Sequence, residues 1–179
     1  QHGGELGESI VLRQGKRSMQ VAFTHLLPAT FGGKARFNVA NAMAAAGACF
    51  AAGAHLHDIR AGLRTFSTSY HLAPGRLNHI DVNGVNVFVD YAHSPDALRN
   101  VVGALKALTA GRLIVVFGCG GDRDRGKRPL MGRAVERNAD RIVITNDNPR
   151  GEEPARIIDA ILGGLEDPSA ATVIEDRGA

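Results

Sequence analysis

From Ser94 onward, segments with the pattern of strands alternate with segments with the pattern of helices. Ser94 and Pro95 suit the N-cap and first position of a helix, because a serine hydroxyl accepts a hydrogen bond there and proline has no amide hydrogen to leave unpaired. The pattern predicts helices over about 95–108, 129–138 and 154–164, and strands over about 112–117, 141–145 and 172–175. Alternation at this spacing predicts βαβ units, and therefore an α/β fold with a mainly parallel sheet and flanking helices.

The first part of the chain has a different pattern. Strand-like stretches over 9–13 and 18–23 precede an alanine-rich helix predicted over about 38–52 and a second helix over about 56–66. The two strand-like stretches have no obvious sheet partners, and the sequence stops soon after a strand. We therefore expect a piece excised from a larger protein.

Two features mark the passage between these parts. The irregular stretch "STSYHLAPGR", residues 67–76, is rich in Ser, Thr, Pro and Gly and is the best candidate for a domain boundary. Asn83-Gly84 then lies between two strand-like stretches. This pair predicts a hairpin, because both residues tolerate positive φ.

Composition excludes several classes of protein. No apolar run approaches the roughly 20 residues of a membrane span, so we expect a soluble cytoplasmic protein without a membrane partner. The formal charge is only +3, aromatic residues make up 5% of the chain, and arginines are interleaved with acidic residues, which argues against a nucleic-acid partner. Cys49 and Cys119 are far apart and belong to no CxxC or Cys/His cluster, so neither a disulfide nor a zinc site is predicted.

Polar clusters follow three predicted strands: "DYAHSP" at 90–95, "GCGGDRDRGKRP" at 118–129 and "NDNPRGEEP" at 146–154. In open parallel sheets, ligands bind beyond the carboxyl ends of the strands. The three clusters therefore contain the candidate binding residues.

The second cluster includes GxxxxGK at 121–127, the body of a phosphate-binding loop. The next residue should be Ser or Thr to hold Mg²⁺, but here it is Arg128, which argues against a true P-loop. We consider two alternatives. The loop is either an anion clamp, in which Arg123, Arg125, Lys127 and Arg128 donate to a carboxylate or phosphate, or a solvated loop whose charges pair with one another.

The other two clusters also allow two interpretations. In "NDNPRGEEP" the residues are typical of a turn and the start of a helix, but Arg150 could complete a site for a zwitterion. In "DYAHSP", Asp90 and His93 suggest a hydrolase triad, but GxSxG is missing and Ser94 is the predicted cap. Asp90 more readily binds a ribose hydroxyl, and His93 could be a turn histidine bonded to backbone. No histidine spacing predicts a metal site, and no metal ligand is assigned.

Five motifs together resemble the Mur ligase family, in the same order and at similar spacing: "GKARFNVANAMAA", "APGRLN", "VDYAHSPDAL", "FGCGGDRDRGKRPLMG" and "TNDNPRGEEP". Members of that family are ATP-dependent amide-bond ligases with three domains. The resemblance implies that residues 1–73 are a small α+β remnant of the central P-loop ATPase domain. Residues 74–179 would be the C-terminal Rossmann-like domain, truncated at its end. The N-terminal domain, the P-loop, the modified lysine and most Mg²⁺ ligands would lie upstream.

The resemblance also implies roles for particular residues. Asn38, Asn41, Arg76, Asp90 and His93 would contribute to ATP binding, with Arg76 at a phosphate and Asp90 at the ribose. Arg123, Asn148 and Arg150 would hold the carboxylate of the incoming amino acid. Asp147 would belong to the same amino-acid site as a support, and so would Lys127.

Two branches of the family share these motifs. "GCGGDRDRGKRPLMG" and "DNPRGEEP" resemble the ligase that adds diaminopimelate or lysine to UDP-N-acetylmuramoyl-alanyl-glutamate in peptidoglycan synthesis, and we predict this activity. "PGRLN" resembles cyanophycin synthetase, which adds aspartate and arginine to a peptide polymer. A third hypothesis is an inert anion- or nucleotide-binding module. A dinucleotide oxidoreductase is disfavoured because no GxGxxG opens a helix after a strand.

Overall fold

The computed structural model describes residues 7–178, and they form two compact units that divide after Tyr91. The first unit contains strands β1 (Ser9–Gln14) and β2 (Arg17–Phe23), helices α1 (Arg36–Ala51) and α2 (Leu56–Thr65), and strands β3 (Asn78–Val82) and β4 (Val85–Val89). The second contains α3 (Pro95–Leu108), β5 (Ile114–Phe117), α4 (Lys127–Glu136), β6 (Arg141–Ile144), α5 (Pro154–Leu162) and β7 (Ala171–Val173).

In the first unit, β1 and β2 pair with each other in an antiparallel sheet. The expectation that these strands lack sheet partners is therefore wrong. A short Gly15-containing turn lets the chain reverse directly, and Ile10 and Val21 then face the same core as Ala46 of α1 and Ile59 of α2. Burial of this shared apolar face holds the sheet against the two helices.

The predicted hairpin is confirmed. Strands β3 and β4 pair in antiparallel register, with Val82 opposite Val85, and the turn residues Asn83 and Gly84 have φ of 52° and 82°. However, this hairpin is a separate two-stranded sheet. The "DYAHSP" cluster therefore follows an antiparallel strand and not, as expected, a strand of the parallel sheet.

The second unit confirms the predicted alternation. Strands β5, β6 and β7 form a parallel sheet in that order, with Ile142 paired to Ala171 on one side and to Val115 on the other. The Ser94 hydroxyl accepts a hydrogen bond from the Ala97 amide at 3.3 Å, as expected of an N-cap. The helices flank the sheet, with α4 packed against both α3 and α5. The fold is thus α/β, as predicted.

One helix differs from the prediction in a way that matters for the site. Helix α4 begins at Lys127, two residues before the predicted start at residue 129. Gly126 already has helical φ and ψ, so Lys127 and Arg128 belong to the first turn of the helix. Arg128 consequently lies on the buried side of the helix, not in the solvated loop.

Candidate functional site

Three of the predicted ATP-binding residues line one cleft in the first unit. Asn38, Asn41 and Arg76 border a cavity of about 590 Å³ whose other walls are mostly apolar. The Asn38 amide donates to the Ala29 carbonyl at 2.7 Å, and the Asn41 amide donates to the Asn38 side-chain oxygen at 3.1 Å. These bonds fix the orientation of both amides at the mouth of a cleft of a size typical of small-molecule sites.

The loop that carries Arg76 is shaped from within by a buried side chain. Asn78 is only 1% exposed, and its oxygen accepts the Gly75 amide at 2.6 Å. Its amide group donates to the carbonyls of Thr68 and Ala73 at 2.7 and 2.9 Å. Sequence reasoning quoted Asn78 within "PGRLN" but assigned it no role. The sequence signal for this role is an asparagine shortly after the Pro74-Gly75 pair, because asparagine side chains near turns often form hydrogen bonds with the backbone.

Asp90 is bonded to the same loop. Its carboxylate accepts the Leu77 amide at 2.8 Å, and the Tyr91 amide donates to the Gly75 carbonyl at 2.8 Å. Leu77 has φ of 51°, a conformation that non-glycine residues rarely adopt unless neighbouring contacts hold it. Asp90 thus lies directly beside the Arg76 loop.

His93 belongs to the second unit. Its side chain is exposed, and its backbone carbonyl accepts a hydrogen bond from the Lys127 ammonium at 2.9 Å. The structure therefore brings together two residues predicted for different ligands, His93 for ATP and Lys127 for the amino acid.

The predicted amino-acid residues lie where β5 and β6 end. We call residues 118–126 the glycine-rich loop and residues 145–151 the asparagine turn. Two hydrogen bonds join the segments. The Gly121 amide donates to the Asn148 carbonyl at 2.8 Å, and the Arg150 guanidinium donates to the Gly121 carbonyl at 2.6 Å. Arg123 is exposed, and its guanidinium donates one long hydrogen bond to the Asp122 carbonyl, at 3.3 Å. Arg123, Asn148 and Arg150 therefore lie at the same edge of the sheet, and the side chains of Arg123 and Arg150 both approach Gly120.

Arg128 is buried and therefore is not one of the surface donors that the predicted anion clamp requires. Its guanidinium forms a two-pronged pair with Glu152, at 2.7 and 3.1 Å, and the two side chains are 3% and 10% exposed. Arg125 also contacts Glu152, at 3.2 Å. The early start of α4 turns Arg128 inward, and a buried charge requires a partner of opposite sign. Of the four cations in this stretch, these two are paired within the protein.

Glu152 is a site residue that sequence reasoning missed, because Glu-Glu-Pro reads as an ordinary start of a helix. Besides Arg128, the carboxylate accepts the Asp122 amide at 2.6 Å. The hydrogen bond from Arg128, followed by that from the Asp122 amide, lowers the pKa of Glu152 from 4.5 to about 2. Glu152 is therefore ionised at neutral pH.

Asp147 also has a cationic partner that the sequence did not indicate. Arg177 donates to the Asp147 carboxylate at 2.9 Å and to the Asn146 carbonyl at 2.7 and 3.1 Å. Arg177, in the segment after β7, therefore stabilises the start of the asparagine turn. Nothing in the local pattern around Arg177 signals this contact, since 30 residues separate the partners.

The described residues show no feature typical of metal coordination or of a membrane-spanning helix. Within residues 7–178, no group of three or more His, Cys, Asp and Glu side chains is placed to hold a metal ion. No helix in that same range is both long and apolar enough to cross a membrane.

Comparison with known sequences decides the family. The family described as "Mur ligase, glutamate ligase domain" matches residues 75–179. The chain belongs to the Mur ligase family. Within this family, the chain is 45% identical over 145 residues to the UDP-N-acetylmuramoyl-L-alanyl-D-glutamate–2,6-diaminopimelate ligase of a Nostoc species, covering 79% of this chain and 28% of the relative. The corresponding ligase of Gloeobacter violaceus is 47% identical over 144 residues, covering 79% and 29%.

Two solved structures are also similar to this chain. A structure of a UDP-N-acetylmuramoyl-L-alanyl-D-glutamate–2,6-diaminopimelate ligase has a TM-score of 0.56 at 37% identity, covering 97% of this chain and 34% of that protein. The folylpolyglutamate synthase of Mycobacterium tuberculosis, complexed with ADP, has a TM-score of 0.52 at 25% identity, covering 69% and 26%. The chain thus spans about a third or less of the length of these relatives.

Proposed function

We propose that this chain is part of an ATP-dependent ligase that adds diaminopimelate to UDP-N-acetylmuramoyl-alanyl-glutamate in the cytoplasm, during peptidoglycan synthesis. The observation that carries the proposal is the placement of Arg123, Asn148 and Arg150 at one edge of the sheet. This arrangement occurs in a chain about 45% identical to ligases named for that reaction. The same relatives favour diaminopimelate over lysine, and over the aspartate and arginine of a cyanophycin-type enzyme.

The amino-acid site would act by charge and position. Guanidinium groups bind carboxylates through paired, charge-assisted hydrogen bonds, and they stay protonated at neutral pH. Arg123 and Arg150 would therefore hold the carboxylate of the incoming amino acid without removing its proton. Asn148 would complete this contact, Asp147 would remain oriented by Arg177, and Lys127 would be a support.

The first unit would supply part of the ATP site. Residues 1–73 would be the end of the central ATP-binding domain, and residues 74–179 the C-terminal Rossmann-like domain. Asn38, Asn41 and Arg76 fit a nucleotide in chemical type, because oriented amides and a guanidinium border a cleft large enough for part of it. Asp90 would act near the ribose, beside the Arg76 loop that it stabilises. For His93, a role in ATP binding rests on the family resemblance alone. The ADP complex of folylpolyglutamate synthase supports a nucleotide in this family fold.

The proposed reaction couples two transfers. The γ-phosphoryl group of ATP passes to the substrate carboxylate, and the amino group of diaminopimelate then attacks the acyl phosphate and releases phosphate. Mg²⁺ would neutralise phosphate charge in the first transfer, with its ligands mostly in the upstream part of the protein. In this chain, Arg76 would stabilise the charge of the transferred group, while the arginines of the second unit would align the attacking amino acid.

The test is the kinetics of Arg150→Ala in the protein extended to the full length of its relatives. We expect the KM for diaminopimelate to rise by roughly 10- to 100-fold, equivalent to the loss of about 1.5–3 kcal/mol from a hydrogen bond to a charged group. The KM for ATP should stay within about twofold, because Arg150 is proposed to contact only the amino acid. Arg133→Ala, at an exposed position of α4, is the matched control. An equal rise in both KM values would refute the assignment of this pocket.

A substrate panel separates the competing functions. Phosphate release is measured with ATP, Mg²⁺ and UDP-N-acetylmuramoyl-alanyl-glutamate in the presence of diaminopimelate, lysine, aspartate or arginine. A parallel assay replaces this acceptor with an aspartate-arginine primer. Turnover with diaminopimelate supports the proposal. Activity only with an aspartate-arginine primer would favour the cyanophycin-type reaction, and nucleotide binding without turnover on any acceptor would favour an inert binding module.

A further inference from the structure

We propose that Glu152 is a positioning residue of the amino-acid site, and that it fixes Arg123 and Arg150 by locking the glycine-rich loop to the asparagine turn. This inference rests on the function proposed above. We define the latch as Glu152, Arg128, Asp122 and the amide of Gly151.

The latch joins the two segments in both directions. Glu152 follows the asparagine turn, and its carboxylate accepts the Asp122 amide of the glycine-rich loop at 2.6 Å. Asp122 reciprocates, since its own carboxylate accepts the Gly151 amide at 3.1 Å. Arg128, at the start of α4, anchors Glu152 through the two-pronged pair.

The positions of these bonds suit a role in alignment. Arg123 directly follows Asp122, and Arg150 directly precedes Gly151. In both hydrogen bonds between the two segments of the latch, the donor amide therefore belongs to a residue next in sequence to an arginine of the proposed site. A shift of either backbone would move a guanidinium relative to the other.

Backbone conformation supports the same conclusion. Asp122 and Arg150 have φ of 51° and 50°, in the left-handed region that favours glycine. Non-glycine residues persist there only where surrounding contacts hold them. The Asp122 amide bond to Glu152 and the Gly151 amide bond to Asp122 are such contacts, so loss of the latch would let both residues relax.

Glu152 itself is unsuited to be a ligand for the amino-acid carboxylate. Its side chain is 10% exposed and ionised, and a second carboxylate would be repelled by it. The Glu152 carboxylate accepts two parallel hydrogen bonds from the Arg128 guanidinium, which fixes the geometry of the pair. A glutamine amide cannot accept both bonds, because one of its two polar atoms is a donor nitrogen.

The experiment compares Glu152→Gln with Glu153→Gln in the full-length protein. Glu153 is the neighbouring exposed carboxylate and makes no side-chain cap bond to α5, so it is the matched control. For Glu152→Gln we expect the KM for diaminopimelate to rise by roughly 10- to 100-fold, the scale on which a misplacement of about 1 Å acts. The KM for ATP and for the acceptor should stay within about twofold. An equal effect of the two variants on the KM for diaminopimelate would overturn the proposal.

A double variant distinguishes positioning from a general loss of stability. Glu152→Leu combined with Arg128→Met removes both charges and leaves neither of them buried without a partner, so the variant should unfold near the wild-type midpoint. Its KM for diaminopimelate should nevertheless stay raised, because the latch is gone. Recovery of that KM together with stability would mean that Glu152 is only structural.

A readout independent of turnover separates this inference from the proposed function. Amide hydrogen exchange at Asp122 and Gly151 should accelerate in Glu152→Gln and stay unchanged in Glu153→Gln. Unchanged exchange in both variants would overturn the latch even in an active ligase. Conversely, a wild-type protein that turns over no amino acid would overturn the proposed function, whatever the exchange data show for the latch.

Discussion

Gly121 lies in close contact with the backbone of the asparagine turn, and Gly121→Ala should strongly destabilise the second unit. A Cβ atom at this position would lie 2.6 Å from the Pro149 carbonyl carbon and 3.1 Å from its Cα, and closer still to the carbonyl oxygen. These atoms belong to backbone and have no rotamer by which to move away. The φ of Gly121 is not positive, so the cost comes from this contact and not from backbone strain.

The magnitude follows from two effects. Inserting a methyl group into a packed contact costs about 1–3 kcal/mol, and the upper end applies where only backbone can yield. Separation of the segments would also weaken two hydrogen bonds without abolishing them. The Gly121 amide bond to Asn148 is worth about 1 kcal/mol, and the charge-assisted bond from Arg150 to the Gly121 carbonyl about 1.5–3 kcal/mol. We therefore expect the free energy of unfolding to fall by about 3–5 kcal/mol.

Urea unfolding followed by circular dichroism measures this change, with Gly126→Ala as the matched control. At Gly126 φ is −63°, and a Cβ would meet only the Asp124 side chain, at 3.3 Å. Replacing glycine by alanine at a compatible backbone position stabilises a protein by about 0.4–1 kcal/mol, because it lowers the conformational entropy of the unfolded chain. The two substitutions should therefore change the free energy of unfolding in opposite directions. Equal free energies of unfolding for the two variants would refute the role given to backbone contact at Gly121.

Two further predictions concern ionisable groups. Cys119 is 3% exposed, and burial raises the pKa of its thiol to about 11. Iodoacetamide at mildly alkaline pH should therefore alkylate the exposed Cys49 and spare Cys119, which peptide mass mapping would reveal. Equal labelling of the two cysteines would contradict the burial of Cys119. Because the pKa of Glu152 is lowered in the folded state, its stabilising effect is present above pH 4.5 and is lost as the pH falls towards about 2. The stability difference between the wild type and Glu152→Gln should therefore shrink over that interval in acid unfolding, and a constant difference would contradict the assigned pKa.

Much of the secondary structure could be predicted because its signals are local. Ser94 caps the helix that it precedes, and the Asn83-Gly84 turn needs only two residues that tolerate positive φ. The start of α4 was misplaced because proline is common at the first helical position, whereas here Pro129 is the third residue of the helix. That error of two residues hid the inward orientation of Arg128.

The sequence by itself determined the order of strands and helices, the α/β class and the resemblance to the Mur ligase family. It also determined which residue types follow β5 and β6, since periodicity, caps and motifs are properties of neighbouring residues. Only the tertiary structure decided which charges are paired. Arg128 and Glu152 are 24 residues apart, and they meet because adjacent parallel strands deliver their following loops to one edge of the sheet. Burial then makes pairing obligatory for Arg128, while Arg123 stays at the surface.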